Sequence, residues 1–271
     1  MGWIKAAMGD ALITAMWVFS MPVVGVTTSI ISSFIGVEPK SVLALFITVN
    51  VVSAFIFSFS VLSAKVGGAN FNPSTSVAFY AAGLKGETSL TELAVQLTAQ
   101  AVGGVAGVMG VLRAMPKKYS FVLGGPALKV DMQIGAAVEG AIAFSFCLAV
   151  MVIFTKGPGK FFAKVWLLSL STVALKMAGN DFTGAPMNPA NAYGWAYANK
   201  WHNSWELFYV YWIAPLIGAT LAAWVFKKLF MAPVAKKKTA IKFHLKPLIY
   251  KSHAISYLEE SNLIYSLVEK N

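Results

Sequence analysis

The chain has 271 residues, of which 57% are hydrophobic and only 12% charged, and its mean hydropathy is +0.66. Too few polar side chains are present to clothe a soluble globule of that size, which excludes a water-soluble enzyme and leaves an integral membrane protein whose surroundings are the lipid bilayer. The formal net charge is +11, and no nucleic-acid partner is expected. A single cysteine, Cys147, rules out an internal disulfide framework, and His202, His244 and His253 show no metal-ligand spacing, so neither a metal nor another cofactor is expected.

The chain begins with an apolar run longer than a signal-peptide h-region of about 7–15 residues, and it is read as a retained membrane helix. Crossing a hydrocarbon core takes about 20 mostly apolar residues, and six segments reach that length: about residues 8–34, 41–63, 92–113, 133–154, 162–179 and 207–230. FNPSTSVAFY lies between the second and third spans, and MNPANAYGWA between the fifth and sixth. The apolar run after each Asn-Pro is about ten residues, too short to cross. Proline suits the first helical position, where its missing N–H would have no partner, and asparagine before it is a favoured N-cap. Asn72-Pro73-Ser74 and Asn188-Pro189-Ala190 therefore open two half-helices. The segment MAGNDF ahead of the second motif is read as a loop.

Each motif sits at an equivalent place in one of two halves, about residues 1–115 and 130–232. Three spans per half is an odd number, so the second half enters the membrane with opposite orientation and the half-helices point at each other. The predicted fold is an all-α membrane protein of six transmembrane helices plus two re-entrant half-helices in two inverted repeats. Non-helical backbone at membrane depth is tolerated only where it is buried in protein or lines a water-filled cavity, so a midplane pore or binding site is implied. Lysine and arginine are nearly balanced across the loops; the basic tail decides the orientation and puts both termini in the cytosol. Within that tail, residues 233–271, Lys236, Lys237 and Lys238 would lie against anionic headgroups, and the remainder is expected to be disordered.

Small residues recur every four positions at Ala99, Gly103 and Gly107, at Ala136 and Gly140, and at Gly218 and Ala222, which lets membrane helices approach closely. Trp195, Trp201, Trp205 and Tyr209 are read as interfacial anchors.

The paired Asn-Pro motifs, Gln100 in AVQLTAQAVGG, Glu139 in AAVEGAIAF and the sixth-span stretch YWIAPLIGATLAAWVF together resemble the aquaporin, or major intrinsic protein, family over roughly residues 1–232. The basic charge, Ser74 in place of the usual alanine, the continuation Asn-Ala-Tyr-Gly-Trp after the second motif's Ala190 and the compact N-terminus are similar to the plant small basic intrinsic proteins. That resemblance implies an aquaporin-like fold, the endoplasmic reticulum membrane, homotetrameric assembly with one pore per subunit, and passage of water. It also implies that the intramembrane acids Asp10 and Glu139 support the non-helical loops, Asp10 being one methylene shorter than the usual glutamate.

Opposed half-helix N-termini would repel cations, while the Asn72 and Asn188 amides would donate to a passing water. The family's constriction positions match Val52, Ala185 and Asn191, the last standing where the family usually has arginine; the fourth falls near Val173 to Lys176, with Val173 taken. A wider, less polar filter passing water and small neutral solutes is expected. The predicted activity is passive transport and not catalysis. Two alternatives stay open: a non-conducting structural protein of membrane junctions, and a proton-coupled transporter using Asp10 and Glu139 as a relay.

Overall fold

The computed structural model describes residues 2–39, 41–86 and 88–231, and among them there is no β-strand. The tail, with Lys236, Lys237 and Lys238, lies outside the described residues. Among the described residues, six helices are long and apolar enough to cross a membrane: α1 (Gly2–Phe34), α2 (Val42–Lys65), α4 (Leu90–Ala114), α5 (Met132–Lys156), α6 (Phe161–Thr183) and α8 (Trp205–Phe230). Two ten-residue helices, α3 (Pro73–Ala82) and α7 (Pro189–Ala198), follow the Asn-Pro motifs.

Local chemistry explains several boundaries. Ser89 and Glu92 form a reciprocal capping box that opens α4, the serine hydroxyl accepting from the Glu92 amide and the carboxylate from the Ser89 amide. Inside α8, Pro215 has no N–H for the Tyr211 carbonyl, and the turn before it, Tyr209–Ile213, widens into π-helix. The expected loop MAGNDF is instead helical, because α6 runs on to Thr183. Gly184, at a φ of +79°, ends it by donating its N–H to the Asn180 carbonyl. Gly179 in that stretch serves packing: a Cβ there would lie 2.2 Å from Ile142 Cδ1.

The packing partners follow a pseudo-two-fold pattern. α1 packs chiefly on α4 and α5 on α8, α2 lies against α6, and each half-helix packs on the last span of the other half, α7 on α4 and α3 on α8. This exchange is what two inverted repeats require. The small-residue seams lie at these contacts: a Cβ at Gly103 would sit 2.3 Å from the Ala11 carbonyl oxygen, and one at Gly218 would sit 2.1 Å from that of Gly140. A further seam, not among those read from sequence, joins Gly104 of α4 to Ala190 and Gly194 of α7. Side chains at these positions would force the helices apart, so backbone contact is what fixes the half-helices in depth.

Of the four expected anchors, Trp205 is exposed and stacks on Tyr209 with ring centroids 5.7 Å apart. Trp195 departs from the expectation. It is buried in the central apolar cluster and packs on Gly125, where a Cβ would meet its ring at 2.4 Å.

Candidate functional site

The two motifs meet. Asn72 caps α3 by accepting from the Ser74 amide through Oδ1 at 2.9 Å, and its Nδ2 donates to the Met187 carbonyl, just before the second motif, at 2.8 Å. Asn188 mirrors this arrangement: Oδ1 accepts from the Ala190 amide at 3.0 Å, and Nδ2 donates to the Phe71 carbonyl at 2.8 Å. A carboxamide nitrogen carries two hydrogens, so each asparagine uses one to join the loops and keeps the other for a molecule in the space between them. Asn72 and Asn188 both line that space, a cavity of about 440 Å³. Pro73 and Pro189 take the first helical position as expected. Ser74 and Ala190 are fully buried beside them, and the Ser74 hydroxyl has no partner among the described residues.

Buried side chains support the non-helical stretches. Asp10 is buried; Oδ1 accepts from the Asn70 amide at 2.9 Å, and Oδ2 accepts from Gln100 Nε2 at 3.1 Å. The same Gln100 nitrogen donates to Ser76 Oγ of α3 at 2.9 Å, so one amide ties α1, the first loop and the half-helix together. Glu139 is fully buried and reaches the second loop through a relay: Thr183 donates to Oε1, and the Thr183 oxygen accepts from the Ala185 amide at 3.1 Å. Tyr211, within the π-helical turn, donates to the Thr183 carbonyl at 3.0 Å. Ala185 and Met187 have φ values of 38° and 52°, a region costing an L-residue roughly 1–3 kcal/mol. The surrounding bonds hold that strain in place. Outside the spans, Lys85 donates to Gln96 Oε1 at 2.6 Å, and burial lowers its pKa from the usual lysine value while the Asp10 carboxylate opposes the shift.

All four expected constriction residues, Val52, Val173, Ala185 and Asn191, line the one cavity. Its wall is aromatic as well as aliphatic: Trp17 stacks on Phe71 with centroids 4.5 Å apart, and Phe146, Val24 and Met21 complete it. On α6, Thr172, Val173, Lys176 and Met177 recur at helical spacing and turn one face to the cavity. The expected less polar filter therefore gains a lysine, whose ammonium donates to the Gly184 carbonyl. Sequence reasoning missed Thr183 and Tyr211, and it bracketed the fourth constriction position between Val173 and Lys176 without reading the lysine inward. Only the first carries a sequence signal, a hydroxyl residue next to the glycine that ends the span.

Comparisons with known proteins bear on the family and the fold. The family model described as Major intrinsic protein matches residues 1–226. Aquaporin SIP1-1 of Oryza sativa subsp. japonica is 46% identical over 87% of this chain and 96% of its own length. Aquaporin SIP1-1 of Arabidopsis thaliana is 40% identical over 88% and 98%, respectively. Among solved structures, the aquaglyceroporin from Plasmodium falciparum superposes with a TM-score of 0.63 at 16% identity, covering 84% of this chain and 96% of that one, which shows a shared fold.

Proposed function

The chain belongs to the major intrinsic protein family, and on that premise we propose that it is a passive membrane channel conducting water and small neutral solutes while excluding protons. The reading is carried by the crossed bonds of Asn72 and Asn188, which bring two half-helix N-termini to one cavity. Each terminus presents about half an elementary positive charge and backbone N–H groups without intrahelical partners. A water between the asparagines accepts from their free amide hydrogens, and its own hydrogens must then point away along the path. Held in that way it cannot relay a proton through the midplane, and hydronium is repelled. Asp10 and Glu139 shape the loops in this scheme and relay no proton. Their partners, a loop amide and Gln100 for one and a threonine hydroxyl for the other, are structural groups.

Val52, Val173, Ala185 and Asn191 are proposed to set the width of the constriction. With asparagine where an arginine would stand, the mouth admits neutral solutes larger than water. The names of the relatives support water as the principal permeant. A homotetramer in the endoplasmic reticulum membrane, with cytosolic termini and one pore per subunit, completes the proposal. Residues 1–232 form its channel domain, and 233–271 a basic tail.

Stopped-flow shrinking of proteoliposomes tests this reading, with water, glycerol and hydrogen peroxide in turn. A passive channel accelerates water efflux without saturation or a coupling ion. Saturable, gradient-driven uptake would instead identify a coupled transporter, and rates equal to empty vesicles a non-conducting protein.

A further inference from the structure

We propose that Lys176 is the selectivity charge of the pore mouth, supplied by α6 in place of a cation at Asn191; this rests on the channel reading above. Among the described residues, Lys176 is the one charged side chain lining the cavity. It stands about two turns, or about 10 Å, before the end of α6. Its ammonium reaches inward to the Gly184 carbonyl and not outward to the headgroups, as a snorkelling lysine would. Asn191, on α7, lines the same cavity and carries no charge there. Glu139, the nearby acid, is fully buried behind the Thr183–Ala185 turn and does not line the cavity.

Two consequences follow from that placement. Lys176 is exposed within a cavity whose wall includes apolar side chains such as Val52 and Phe71, and its charge raises the energy of any cation entering the mouth. A neutral solute meets no such barrier and finds a hydrogen-bond donor instead. The field of the lysine adds to that of the half-helix termini, and the two together set the barrier that a cation meets. Lys129 adds a second ammonium on this side, donating to the Asn180 carbonyl at 3.0 Å near the end of the same helix.

A lysine that only satisfied the carbonyls at the end of α6 would be a helix cap and nothing more. Lys176→Gln separates the two roles, because the amide keeps a donor for Gly184 while removing the charge. Lys176→Gln is compared with the parent in proteoliposomes with clamped membrane potential, each leak being read against the water flux of the same vesicles. It should dissipate an imposed pH gradient at least about tenfold faster, the factor that about 1.4 kcal/mol of barrier represents. Adding Asn191→Arg to that variant should restore tightness by returning a cation to the same cavity. A leak equal to the parent's in Lys176→Gln, or no restoration in the double variant, overturns the proposal. Should Lys176→Gln conduct no water, Asn191→Asp decides: a carboxylate facing the untouched lysine is expected to raise the leak, and an unchanged leak overturns the proposal. A parent without water flux marks the failure of the channel reading itself, and the inference falls with it.

Discussion

Asn188 donates through Nδ2 to the carbonyl of Phe71, a residue of the opposite repeat, at 2.8 Å. The bond ties the second half-helix to the loop that delivers the first, so a change at either asparagine reaches both.

Asn188→Asp is expected to reduce water flux by at least about tenfold, equivalent to about 1.4 kcal/mol of barrier. Aspartate still caps α7, so folding survives, but the Phe71 carbonyl loses its donor and a negative charge enters the region where the dipoles repel cations. Stopped-flow light scattering on purified protein reads the effect. Parent-like conduction would remove Asn188 from the water path.

Thr183→Val leaves a buried Glu139 oxygen without its donor and the Ala185 amide without its acceptor. Each loss costs about 1–3 kcal/mol, so the thermal midpoint in detergent is expected to fall clearly. Thr183→Ser, which keeps the hydroxyl, should stay near the parent. Equal midpoints for the valine and serine variants would show that the relay does not hold the loop.

Gly218→Val drives a side chain into the Gly140 carbonyl and forces α5 and α8 apart. Overpacking of this kind costs about 1–3 kcal/mol, and a lowered thermal midpoint is the expected outcome. Gly124→Ala, where a Cβ meets nothing within 4 Å, is the control. A tolerant Gly218 would mean that this helix pair can separate.

Asn191→Arg narrows the mouth that Val52, Val173 and Ala185 also line. Glycerol permeability should fall by more than water permeability, because a tighter opening hinders the larger molecule first. An unchanged ratio of the two would place residue 191 outside the constriction.

Much of this architecture is legible in the sequence, and the illegible parts share a cause. Hydropathy alone locates the six spans, because each must cover the hydrocarbon by itself, although the first helix begins at Gly2, ahead of the expected residue 8, and the fifth runs on to Thr183. The duplicated Asn-Pro motif places the half-helices, because cap chemistry is local. Asn180 and Asp181 are poor helix formers and suggested a loop, yet packing around Gly179 carries α6 through them. Trp195 sits among ring residues that suggest an interface, and only the approach of the Gly125 loop shows that it faces inward. Lys176 is a similar case. Its side chain has a meaning for the cavity only once the second loop has folded back beside α6. Contacts across many residues of chain, such as Tyr211 to Thr183, leave no periodic trace in the sequence.

The central claim is that two crossed asparagines at facing helix termini make a path open to water and closed to protons. Its most direct test measures both fluxes in one preparation, with osmotic shrinking and dissipation of an imposed pH gradient recorded on the same proteoliposomes. The expected result is water efflux well above that of empty vesicles with a proton leak indistinguishable from theirs. Water efflux at the empty-vesicle rate, or a proton leak that rises in step with the water flux, would contradict it.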